Sequence, residues 1–158
     1  MEPLQPDTLI RNPNGAPLIA SVDVACDAAS LWSVVGNFAG FDAFIPALSH
    51  IEMTGTGVGA LRTKFFHDGH RVVEQLNSRD DEAMCMTWTT LYNTLGVARL
   101  WAAMRVEALG AKHARATWTL IGEPVDTPQA AFEQFAQAFA DSALENVRRM
   151  FDLSLIHI

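Results

Sequence analysis

A chain of 158 residues is the size of one compact domain, so a single core with no separate cofactor module is the starting expectation. With 49% hydrophobic and 18% charged residues it is far too apolar to be disordered and has ample material for a core or a pocket. The formal charge of −7 disfavours nucleic acid and anionic membranes, because phosphate is held by clustered Lys and Arg, and leaves small molecules as the expected partners.

Residues 1–17 carry Pro3, Pro6, Pro13 and Pro17 and no continuous apolar run, which predicts an extended N-terminal segment with neither signal peptide nor membrane span, and a cytoplasmic protein. The first strand is expected at Ile19 to Cys26, where Val22 and Val24 alternate with Ser21 and Asp23. Asp27 then reads as the N-cap of a short helix through Leu31, Val34, Val35 and Phe38, and a second helical turn stops at Pro46. From Ala47 to Glu123 the chain reads as consecutive antiparallel strands broken at Gly55 to Gly59, Asp68-Gly69, Ser78 to Glu82, Asn93 to Gly96 and Gly110. Asp126-Thr127-Pro128 opens one long helix to Phe151, with Phe132, Phe135, Ala136, Phe139, Ala143, Val147 and Met150 on its apolar stripe. The last six residues, Leu153 to Ile158, are what a transposase sequencing adapter encodes (CTG TCT CTT ATA CAC ATC), so 153–158 are read as a non-native tail from a metagenomic assembly. Cys26 and Cys85 have no CxxC spacing and read as buried apolar side chains.

This order predicts an α+β fold in which one helix covers a curved antiparallel sheet of about seven strands, leaving space for a cavity between them. Here the chain resembles the SRPBCC or START-like helix-grip superfamily, and within it the bacterial polyketide cyclase/dehydrase-like proteins. The resemblance covers residues 18–152 and rests on Leu31 to Phe38, Pro46, Gly59 to Arg62, Asp68-Gly69 leading to Glu74, Trp118, and Ala143 to Val147. It implies a cavity for an apolar or amphipathic small molecule, in a superfamily of enzymes, transporters and receptors. The plant abscisic-acid receptors are also similar; their ligand-anchoring lysine falls on Ile45 here, their gate on the turn His67-Asp68-Gly69-His70, and Glu74 and Asn146 match pocket-lining positions.

A two-residue Asp68-Gly69 loop would pair His67 with His70, Phe65 with Val72, Thr63 with Glu74 and Leu61 with Leu76, all on one face. That face is the more apolar, which predicts that it lines the cavity. Arg62, Lys64, Phe66, Arg71, Val73 and Gln75 fall on the other. Glu74 is then a carboxylate among apolar neighbours with no inward cation, and its pKa is expected to be raised. The expected ligand-binding set is Thr63, Phe65, Glu74, Trp88, Tyr92, Met104, Trp118, Phe135, Phe139, Ser142 and Asn146, with His67, Asp68, Gly69 and His70 as a gate. No metal is expected, since His70 and Glu74 stand about 13 Å apart along one strand, and no cofactor motif is present. Three roles stay open: a binder of a hydrophobic or amphipathic molecule; a cyclase/dehydrase with Glu74 as acid/base and Tyr92 as proton donor or orienting group; and an interaction module whose cavity is filled by its own side chains.

Overall fold

The structure is a computed structural model; it describes residue 13 and residues 15–156, with side chains as far as residue 152. Residues 1–12, residue 14, and 157 and 158 of the tail lie outside the described residues. Alternating apolar residues form strand β1 at Leu18–Val24, and helix α1 follows at Ala28–Val35. Asp27 starts α1 as expected, its carboxylate accepting from the Ser30 amide at 3.0 Å. A 3-10 turn spans Phe41–Ala43, followed by β2 (Leu48–Thr54), β3 (Leu61–Phe66), β4 (Arg71–Asp80), β5 (Cys85–Asn93), β6 (Val97–Gly110), β7 (His113–Pro124) and the long helix α2 (Gln129–Ile156). This is the α+β helix-grip architecture.

The seven strands form one sheet in the order β1-β7-β6-β5-β4-β3-β2, each pair antiparallel. Alternation in the later strands reads directly into three dimensions. Met86 and Trp88, Ala102 and Met104, and Ala114, Ala116, Trp118 and Leu120 are buried on the concave face. Arg115 lies on the convex face, where it pairs with Asp23 across β1 and β7. The two cysteines are half-buried free thiols rather than fully buried ones.

Helix α2 is seated on β1 and β7. Ala140 and Ala143 are buried in that contact, their small side chains allowing close approach, while Gln137 donates to the Ile19 carbonyl. Most of the expected stripe is inside, with Phe132, Ala136, Ala143 and Val147 buried and Ala140 and Leu144 added beside them, whereas Phe135 is 61% exposed. Because the helix covers only one side of a sheet that curls around it, the concave surface of β3 to β5 faces open space. One end of that space is closed by an aromatic plug, in which the Phe41 ring lies 4.8 Å from Phe44, 5.6 Å from Trp88 and 5.9 Å from Trp118. Ile45 is buried beside this plug.

Candidate functional site

The space left between sheet and helix is a cavity of about 570 Å³, within the range of small-molecule sites. Its wall is largely apolar: Phe66, Val72, Trp88, Leu100, Trp118 and Leu120 from the sheet, and Phe132, Phe135, Ala136 and Phe139 from α2. Lys64, Glu74, Thr90, Asn93 and Asp68 supply its polar atoms. The Asn93 amide is already committed, donating to the Val97 carbonyl and accepting from the Leu95 and Val97 amides. Thus the reactive part of the wall is the pair Lys64 and Glu74.

Both reach the cavity because the β3–β4 hairpin closes differently from the sequence expectation. Phe66 pairs with His70, its amide bonding to the His70 carbonyl, and the Gly69 amide returns to the Phe66 carbonyl. The loop is therefore the three residues His67, Asp68 and Gly69. Gly69 sits at φ 95°, as the last residue of such a turn requires. One extra loop residue shifts the register by one, so Arg62 opposes Glu74, Thr63 opposes Val73 and Lys64 opposes Val72. Since a one-residue slip reverses every side chain of a strand, Arg62, Lys64 and Phe66 turn inward, and the expected cavity residues Thr63 and Phe65 turn outward. Phe65 stacks instead on His50, with ring centroids 4.4 Å apart.

Glu74 is inward as expected, but it is not alone. Its Oε1 accepts from Arg62 Nε at 2.8 Å and lies 3.1 Å from Lys64 Nζ, while among the described residues Oε2 has only the Thr90 hydroxyl at 3.4 Å. All three charged residues are buried, Arg62 at 0%, Glu74 at 1% and Lys64 at 6% exposure. Arg62 also donates to the Phe38 carbonyl at 2.8 Å, and its guanidinium lies 3.9 Å from the Phe38 ring centre, 4.1 Å from that of Phe41 and 4.9 Å from that of Trp88. Arg62 is thereby walled off from the cavity, whereas Lys64 and Glu74 face it.

The electrostatics follow. Burial by itself would raise the Glu74 pKa, but Lys64 and Arg62 outweigh it and hold the carboxyl below its ordinary value, the reverse of the sequence expectation. Burial pushes Lys64 down; Glu74 opposes that shift and Arg62 adds to it. Burial lowers Arg62 as well, against the pull of Glu74. Two buried donors, Arg62 Nη2 and Trp118 Nε1, find no hydrogen-bond partner among the described residues.

Of the expected ligand set, Glu74, Trp88, Trp118, Phe135 and Phe139 line the cavity, as does Asp68 of the expected gate. Tyr92 does not. β5 carries one extra residue, Leu91, between the pairs Val73–Tyr92 and Glu74–Thr90, and this bulge turns Tyr92 to the convex face, where it is 52% exposed. Met104 is core beneath the aromatic plug, Ser142 is exposed, and Asn146 spends its amide on the Phe44 carbonyl at 3.1 Å. His67 and Gly69 are exposed at the hairpin tip; His70 Nδ1 lies 2.9 Å from the Thr94 hydroxyl, joining that hairpin to the β5–β6 loop at the cavity rim. Lys64, Arg62 and Thr90 escaped sequence reasoning. The available signal was Glu74 itself, because a carboxylate buried without a cation is costly enough to argue for the register that supplies one. Among the described residues no three His, Cys, Asp or Glu side chains converge as metal ligands, and no helix is long and apolar enough to cross a membrane.

A curved seven-stranded sheet gripping a C-terminal helix over an apolar cavity is the START-like, helix-grip fold. Residues 18–152 match the family of polyketide cyclases/dehydrases and lipid transport proteins, to which this chain belongs. Solved structures with this fold include XoxI from Bacillus cereus, 17% identical with a TM-score of 0.83 over 91% of this chain and 100% of that one. The aromatase/cyclase Zhui from Streptomyces sp. R1128 is 14% identical with a TM-score of 0.75, over 87% of this chain and 93% of its own. A START superfamily protein from Mycobacterium smegmatis is 10% identical with a TM-score of 0.77, over 88% and 99%. No curated protein matches the sequence.

Proposed function

We propose that this protein binds one hydrophobic or amphipathic small molecule in the cavity between β3–β7 and α2. The observation that carries this reading is the contrast within the cavity wall: a broad aromatic and aliphatic surface, with one charged pair, Lys64 and Glu74, set into it. Apolar area supplies affinity and the isolated polar pair supplies orientation. The family description, which joins cyclase/dehydrase chemistry to lipid transport, supports the same reading. The test is titration with the neutral fluorescent probe N-phenyl-1-naphthylamine. Saturable one-to-one binding that raises Tm is expected, since a ligand held only by the native state stabilises it by mass action. Phe139→Trp enlarges a side chain of the wall and should weaken binding by about tenfold, given the usual cost of overfilling a packed site. Unchanged affinity in a folded variant would place the probe elsewhere.

A second reading, a cyclase or dehydrase, is favoured by one observation: Glu74 lines the cavity, and its Oε2 has no nearer partner among the described residues than the Thr90 hydroxyl at 3.4 Å. Such a carboxylate acts as a base, taking a proton from carbon beside a carbonyl, while Lys64 stabilises the developing enolate oxygen. Tyr92 is outside this chemistry because it is on the other face. Loss of turnover by about 10² in Glu74→Gln, with probe binding retained, would identify the enzyme.

A further inference from the structure

Lys64 is the charge in the buried cluster that the fold can do without. Glu74 is already matched by Arg62 Nε at 2.8 Å, and Arg62 is further held by the Phe38 carbonyl and three aromatic rings. Adding Lys64, with its Nζ 3.1 Å from the same oxygen, leaves two cations on one carboxylate and a surplus positive charge in the wall. Its ammonium has three donors, and Glu74 is its only partner among the described residues. Asp68, the other charged residue of the lining, is exposed at the rim, where it accepts from the His70 amide.

A neutral ligand that filled this cavity would strip water from Lys64 and offer nothing in return. Desolvating an unmatched charge is costly, whereas one more anion would balance two cations with two carboxylates or their equivalents. Resting on the cavity reading above, we infer that the natural ligand is an amphipathic anion, an aromatic or otherwise apolar body bearing a carboxylate or chemically equivalent group, with that group seated on Lys64 Nζ. The aromatic wall of Phe66, Trp88, Trp118 and Phe139 takes the body. The buried cluster at one end and the open rim at the other then fix which way round the molecule lies.

The experiment compares two probes that share an arylamine body and differ by one anionic group: 8-anilinonaphthalene-1-sulfonate and neutral N-phenyl-1-naphthylamine. The wild-type protein should bind the anionic probe at least about tenfold more tightly, the size expected of one charge-assisted contact in a partly desolvated site. Lys64→Met should abolish that preference, weakening the anionic probe and tightening the neutral one, which no longer covers an unmatched charge, and Lys64→Arg should restore it. Equal or weaker binding of the anionic probe by the wild type overturns the inference without reference to any variant, and so does a preference that survives in Lys64→Met. Saturable neutral binding with no anionic preference overturns the charge assignment and leaves the cavity standing; failure of both probes to saturate overturns the cavity reading and this inference with it.

Discussion

Removing the single anion of the buried cluster, by Glu74→Gln, should cost about 3–5 kcal/mol of stability at pH 7, because it leaves Arg62 and Lys64 facing each other in the interior. Gln still offers Oε1 as an acceptor to Arg62 Nε, 2.8 Å away, and to Lys64 Nζ, 3.1 Å away, so what is lost is the negative charge that both cations face. An upper limit of about 5 kcal/mol comes from the alternative open to the variant, which is to fold with Lys64 neutral at about 1.4 kcal/mol per pH unit below its ordinary value near 10.4. In a chain of this length the loss corresponds to a fall in Tm of about 10 °C. Urea titration followed by tryptophan fluorescence measures it as a lower midpoint with unchanged slope. The deficit has a pH signature. Wild-type Glu74 titrates below its unfolded value, so its contribution is present above about pH 4.3 and is lost as pH falls through the folded-state value. At the alkaline end, Lys64 of the variant loses its proton below its ordinary range, so the deficit is full below that titration and shrinks as pH rises through it. The two proteins should differ most near neutrality. A Glu74→Gln protein within 1 kcal/mol of wild type at pH 7 would refute the buried cluster and the hairpin register that builds it.

The surplus cation predicts the opposite behaviour for Lys64→Met alone: Glu74 keeps Arg62, so stability should fall by less than about 1 kcal/mol or rise, as the same urea titration will show. Tyr92→Phe, on the convex face, should leave the neutral probe's affinity unchanged; a loss above about threefold would mean that the Leu91 bulge is misplaced. At Gly122 a β-carbon would overlap the Phe132 ring, which lines the cavity, so Gly122→Ala should cost about 1–3 kcal/mol and weaken probe binding together, read by Tm and fluorescence titration.

Local pattern determined much of this protein. The order of elements, the Asp27 cap, the long final helix, the inward faces of β6, β7 and the Met86–Trp88 part of β5, and the burial of Glu74 all follow from periodicity and turn chemistry, which act within a few residues. Three things were decided only in the tertiary structure. The β3–β4 loop takes three residues where two were expected, and Asp-Gly is compatible with both; the choice exchanges the faces of Leu61–Phe66. By hydrophobicity the strand prefers the wrong face, since burying Arg62 and Lys64 is tolerable only once Glu74 on β4 and the rings of Phe38, Phe41 and Trp88 are already in place. A bulge at Leu91 carries Tyr92 out of the site, and nothing in the Thr89-Thr90-Leu91-Tyr92 run marks which residue will be the extra one. Which flank of the α2 stripe is buried, Ala140 rather than Phe135, depends on the close approach to β1 and β7 that the alanines allow. Sequence periodicity assigns side chains to a face, but the pairing partner assigns the face to the cavity or to solvent, and that partner lies in another strand.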